Sequence, residues 1–205
     1  YQFLNIVCQG TDFQMVIYLK KGHGTPSSRL CAEKFMTHWV SWAGWPKELK
    51  CDRGLHNRGY FARMLGAHGI CPRHAALESP EQIGKTERKG DVWKMNAKRV
   101  INDRQIRNEK QMEILAAELS AETNDGTRKG GYSCSQWVLG KFPRRCHDLF
   151  GTEMDVSQIS ERLDPDSEFA ERIEMRLACK RSFAQSDCSK MLLVFCYEKQ
   201  HQYPW

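Results

Sequence analysis

Hydrophobic and polar positions along the chain switch between two periods. YQFLNIV (1–7) and FQMVIYLKK (13–21) are rich in β-branched and aromatic residues, which predicts two strands. The five residues between them include Gly10 and Asp12, suited to a hairpin loop. Residues 22–26 break the pattern, and Ser27 or Ser28 can cap a helix. Its apolar positions Leu30, Ala32, Phe35, Met36, Trp39 and Val40 recur at helical spacing, and Gly44 and Pro46 end it. Leu49 to Asp52 reads as a short strand with a turn at Gly54, and a helix over about 58–67 is stopped by Gly66 and Gly69. Ile70 to Leu77 returns as a strand in which Pro72 suits an edge or a strand start.

Ser79 to Gly84 reads as an irregular loop. A long helix follows, led by Thr86 or Glu87 and running to about Asp103, with Trp93, Ala97, Val100 and Ile101 on the side expected to pack on the sheet. A further helix covers about 108–122, with Met112, Leu115, Ala116 and Leu119 on one face. This order predicts an α/β fold with a mixed sheet flanked by helices. After residue 123 the pattern fades, and 130–133 and 140–145 are loop-like. Residues 167–184 make one more amphipathic helix, with Phe169, Ile173, Met175, Leu177 and Phe183. Its basic residues Arg172, Arg176, Lys180 and Arg181 suit DNA, a partner or a solvated face. MLLVFCY (191–197) is a strand-like run with no obvious partner, and no internal repeat is visible.

A chain of 205 residues, 40% hydrophobic, makes one domain or a domain with an appendage and excludes wholesale disorder. No apolar run approaches a membrane span and no signal-peptide shape opens the chain, so no membrane partner is expected. The chain begins at Tyr1 without Met and enters a strand-like run at once, which reads as a truncated start. Net charge is a modest +6, but Lys and Arg concentrate in 85–110. That suggests a polyanion partner, although on charge alone a solvated helix face is the default reading. Nine cysteines include no C-x-x-C pair, so free thiols in a reducing compartment are expected.

The candidate chemistry lies in Asp52, which closes a short strand, and Glu87, on the basic helix. Hard divalent cations take oxygen ligands, and phosphoryl-transfer sites commonly supply one or two carboxylates and leave the rest to phosphate and water. Two ions about 3.5–4 Å apart serve in-line displacement. Spacing alone leaves ordinary surface carboxylates as the default. At about 100° per residue, Lys94 and Lys98 fall near the Glu87 line, where they could grip phosphates.

FLNIV and FQMVIYL, then AGWPKELKCDRGLHNRGYF, SPEQIGKTERKGDVWK and GGYSCSQWVLGKFPR, resemble in that order the integrase catalytic core of long-terminal-repeat retrotransposons. The resemblance covers roughly residues 1–145. It implies a ribonuclease H-like fold and a nuclear polynucleotidyl transferase that processes DNA 3′ ends and joins them to target DNA. Three carboxylates with Mg2+ or Mn2+ carry the chemistry in that family, in a homo-oligomer. By position Asp52 matches the second catalytic Asp and Glu87 the catalytic Glu, with Glu78 and Glu81 as rivals in the preceding loop. Lys85, Arg88, Lys94 and Lys98 are the expected DNA contacts.

Several positions depart from the pattern. Asn57 stands in a stretch, His56 to Gly59, that replaces an acidic-aromatic pair; Cys134 replaces a Pro; and Cys8 stands where a non-catalytic Asp is common. The family's zinc-binding His/Cys module has no counterpart here, and its first catalytic Asp falls before Tyr1, since Asp12 lies in the hairpin loop. The organisation expected is a core at 1–145 lacking its first strand, a linker with an amphipathic helix at 146–190, and a tail at 191–205. Two half-sheets would then lack their shared central strand, and MLLVFCY is the candidate to fill or cover the gap. With one carboxylate short, the chain is expected to be inert. The competing reading is a decayed or domesticated copy that binds nucleic acid or assembles with partners without catalysis.

Overall fold

A computed structural model describes residues 1–52, 54, 58–70, 72–74, 81–126, 128–140 and 168–201. Strands and helices are mixed along the chain, an α/β arrangement. The chain divides into two compact units, Tyr1–Val7 with Gln14–Val92, and Cys8–Phe13 with Trp93–Trp205.

In the first unit β1 (Gln2–Val7) pairs antiparallel with β2 (Gln14–Lys20). Phe3 faces Tyr18 across the strands, ring edge to ring face at 5.9 Å, the kind of cross-strand contact that sets register. Ser27 caps α1 (Ser28–Phe35) by accepting the Leu30 N–H at 3.1 Å. The helix continues through a π turn (Met36–Val40) into α2 (Ser41–Ala43), and Gly44 ends it with φ 75°. Next come β3 (Leu49–Cys51), α3 (Tyr60–Ala67) and β4 (Pro72–His74). β3 and β4 run parallel with α3 as the crossover, and Pro72 opens β4, where a residue without an N–H is tolerated.

Ala32, Phe35, Phe61, Leu65 and Ile70 form one apolar cluster between α1 and α3. Leu4 and Ile6 of β1 and Leu49 of β3 pack against it. The two strand pairs therefore share a core. Each large apolar side chain buried there contributes roughly 1.5–3 kcal/mol. The Ser28 hydroxyl adds a polar tie, accepting the Phe61 N–H at 2.8 Å and donating to the Arg58 carbonyl.

Helix α4 (Glu81–Arg104) begins in the first unit and ends in the second. In the second unit α5 (Glu109–Gly126) buries Met112, Leu115, Ala116 and Leu119, the face expected from sequence. A hairpin of β5 (Arg128–Lys129) and β6 (Tyr132–Ser133) leads into α6 (Cys134–Leu139). The last element, α7 (Glu168–His201), buries Met175, Ala178 and Cys179. Arg176 of α7 grips Glu118 of α5 with contacts of 2.7 and 3.2 Å, and Glu171 accepts from Gln111 at 2.9 Å.

Four expectations are corrected. Each described strand pairs within a two-stranded sheet, so no single mixed sheet forms among the described residues. MLLVFCY is helical, inside α7, and supplies no strand. No Gly or Pro interrupts 168–201, so a helix once begun continues through the apolar run. Residues 81–84 are helical too, because an isolated Gly84 costs a helix only about 1 kcal/mol. The stretch 130–133 is a hairpin rather than a loop, turned by Gly130 and Gly131 at φ 58° and 86°. Asn96 of α4 accepts from Ser182 and Ser186 of α7 at 3.1 and 2.5 Å. Glu78, Asn57 and Ser79–Pro80, with most of the strand expected beyond 74, lie outside the described residues.

Two glycines of α4 separate packing from propensity. A Cβ on Gly84 meets nothing within 4 Å, so Gly84→Ala should raise stability by about 0.5–1 kcal/mol. A Cβ on Gly90 falls 3.1 Å from Asn5 Nδ2, which is already bonded, so Gly90→Ala should lower stability by about 1 kcal/mol. Thermal unfolding of the two variants checks the opposite signs.

Candidate metal and nucleic-acid site

The site rests on how β1 meets α4. Asn5 on β1 donates from Nδ2 to the Thr86 carbonyl at 3.0 Å, while its Oδ1 accepts from Gln14 Nε2 at 2.9 Å. Gln14 is 1% exposed, so its amide needs that partner. Gly90, one turn beyond Thr86, lacks the Cβ that would crowd Asn5. The second turn of α4 is thus fixed to the hairpin, and Glu87 follows Thr86 directly. Its side chain is exposed.

Asp52 stands one residue beyond β3, exposed, where an apolar strand hands over to a glycine turn. Its Oδ1 accepts the Gly54 N–H at 2.9 Å, a local turn that fixes the carboxylate. Gly54 also lines an open depression of about 650 Å³ with Tyr1, Gln2, His23 and Thr25. Gln2 shapes its wall by donating to the carbonyls of Gly22 at 3.0 Å and Gly24 at 2.6 Å. Next to Asp52, burial and then the carboxylate charge push the Cys51 thiol up to about 11. Cys51 is therefore a neutral neighbour at physiological pH.

Asp52, Glu87, Lys85 and Arg88 belong to the first unit, and Lys94 and Lys98 to the second. Arg88, Lys94 and Lys98 are exposed and Lys85 is half-buried. Glu87 sits inside α4, six residues after Glu81, rather than at its head. Glu81 is helical rather than part of a loop. Among the described residues no group of three or more His, Cys, Asp and Glu side chains is placed to hold a metal ion. Sequence reasoning missed Asn5 and Gln14, although polar residues inside two apolar strand runs were the available signal.

The donor chemistry of Asp52 and Glu87 fits a hard, oxygen-seeking cation better than a soft one. Both are exposed carboxylates, and the thiol beside Asp52 is held protonated, which removes it as a competing soft ligand. No helix among the described residues is long and apolar enough to cross a membrane. No protein-family model matches the chain, and no curated protein matches it.

The coupling of Asp52 to Cys51 is measurable. Asp52→Asn should move the alkylation of Cys51, followed peptide by peptide, to lower pH, while burial keeps the thiol above its ordinary value. The sign for stability follows: Cys51 favours the fold below the unfolded thiol pKa, and that contribution is lost as pH rises through about 11. An unchanged alkylation profile would separate the two residues.

Proposed function

We propose that the chain comes from the catalytic core of a retrotransposon-type integrase with a ribonuclease H-like fold, a class of enzyme that acts on DNA in the nucleus as a homo-oligomer when its three carboxylates are complete. The observation that carries the reading is Asp52 at the end of the parallel strand β3, in the same compact unit as Glu87, whose helix turn is bonded to β1 through Asn5. Further support comes from element order, an antiparallel hairpin followed by a parallel β-α-β pair that packs on the same core.

Asp52 and Glu87 would hold Mg2+ or Mn2+. Such ions activate an attacking oxygen and stabilise the leaving one in DNA 3′-end processing and strand transfer. Asp52 brings a carboxylate aligned by the Gly54 N–H, and Glu87 brings one carried on an anchored helix turn. Lys85 and Arg88 near Glu87, and Lys94 and Lys98 further along α4, supply positive charge for phosphates of element and target DNA.

A second reading, a non-catalytic nucleic-acid-binding or assembly module, is favoured by the lack of a three-carboxylate cluster among the described residues. Calorimetric titration with Mn2+ separates the two. The integrase reading expects binding that weakens about 10-fold or more in both Asp52→Asn and Glu87→Gln. Binding that is absent, or indifferent to both changes, would overturn it. On a short duplex, Lys94→Ala with Lys98→Ala should weaken binding. The same pair of changes should reduce the slope of log affinity against log salt by about one for each phosphate no longer neutralised.

A further inference from the structure

Asn5 stands mid-strand between two apolar neighbours. Leu4 and Ile6 pack on the cluster of Phe35, Phe61 and Leu65. Side chains alternate along a strand, so Asn5 faces the other way, where it meets α4. Strands covered on both faces read as apolar runs, and a leucine would fill this half-buried position as well as an asparagine does. An apolar contact has no preferred direction, however, and lets a helix slide and roll against a strand. The Asn5 amide is directional. Its Nδ2 donates to one carbonyl of α4, that of Thr86, at 3.0 Å, and its Oδ1 is held from behind by Gln14 Nε2 at 2.9 Å. Gln14 is 1% exposed on the paired strand β2, so the Asn5 amide cannot turn over without setting two N–H groups face to face. Gly90 leaves the room this requires, since a Cβ there would fall 3.1 Å from Nδ2.

The carbonyl so held belongs to the residue before Glu87. A slide of α4 by one turn would carry that glutamate about 5.4 Å along the helix axis. A roll by one residue would turn it about 100° away. Carboxylate oxygens bind hard divalent ions at about 2.0–2.6 Å, so either displacement takes Glu87 out of range. We propose that Asn5 is a positioning residue for the cation site, fixing where the Glu87 carboxylate stands by holding the Thr86 carbonyl. It acts through the helix backbone rather than on the cation. The inference rests on the reading of Asp52 and Glu87 as cation ligands, and adds that the hairpin sequence sets the affinity along with the carboxylates.

Calorimetric titration of the full chain with Mn2+, alongside thermal unfolding, tests it. Asn5→Leu fills the same space without either hydrogen bond and should weaken Mn2+ binding about 10-fold, as loss of a group that orients a ligand does. Gly90→Ala presses on the same amide from the helix side and should weaken binding in the same direction. Gly84→Ala, on the same helix but in open space, should leave binding unchanged. Adding Gln14→Leu to Asn5→Leu removes the second half of the amide pair, so thermal stability should partly recover while Mn2+ affinity does not. General loosening of the fold would weaken every background alike. In a Glu87→Gln background, by contrast, Asn5→Leu should weaken binding by less than about twofold more, since the residue it positions has gone. Binding that depends on Asp52 and Glu87 but is unmoved by Asn5→Leu and Gly90→Ala would overturn the inference and leave the integrase reading standing. Equal weakening by Asn5→Leu with and without Glu87 would do the same. A chain that binds no Mn2+, or binds it regardless of both carboxylates, overturns the integrase reading and this inference with it.

Discussion

One side-chain amide joins the hairpin to the helix that carries Glu87. Asn5 gives its N–H to the Thr86 carbonyl and takes the N–H of a buried Gln14, so its two ends are used in two different elements. An interior amide left without such partners costs about 1–3 kcal/mol, which makes the arrangement hard to abandon piecemeal. Gly90 is the complement of this contact, since a side chain there would press on the bonded amide. The consequence for chemistry is positional: a glutamate on a long helix becomes a glutamate at a defined place over a β-hairpin.

Asp52 is fixed by a different device. A three-residue parallel strand ends, a turn begins, and the backbone N–H of Gly54 holds the carboxylate. Leu4, Ile6 and Leu49 contact the common core of Phe35, Phe61 and Leu65, so both strand pairs are referred to one packed body. Such bodies change shape reluctantly, which is what a site assembled from separate elements needs.

Much of the first unit was legible in sequence, because there periodicity and punctuation agree. Apolar runs bounded by Gly10, Gly44 and Gly69 gave strands and helices with ends within a few residues. Ser27 capped where a serine was expected. Asp52 was legible as an acid closing an apolar strand before glycine. Legibility failed where an apolar run carries no period. MLLVFCY suits a strand by composition, yet it continues a helix begun over twenty residues earlier. Asn5 stood out as a polar residue in an apolar run, but its role was illegible because it depends on Gln14 and Thr86, nine and eighty-one residues away. Tyr132 read as part of a loop because two residues of strand on each side of Gly130–Gly131 are too short to show a period.

The integrase reading depends on Asp52 and Glu87 sharing a cation. Crystals of the chain soaked in Mn2+ and measured at the manganese absorption edge locate the ion directly. A shared site predicts an anomalous peak about 2–2.5 Å from a carboxylate oxygen of each residue. Peaks on only one of the two, or on neither, would contradict it.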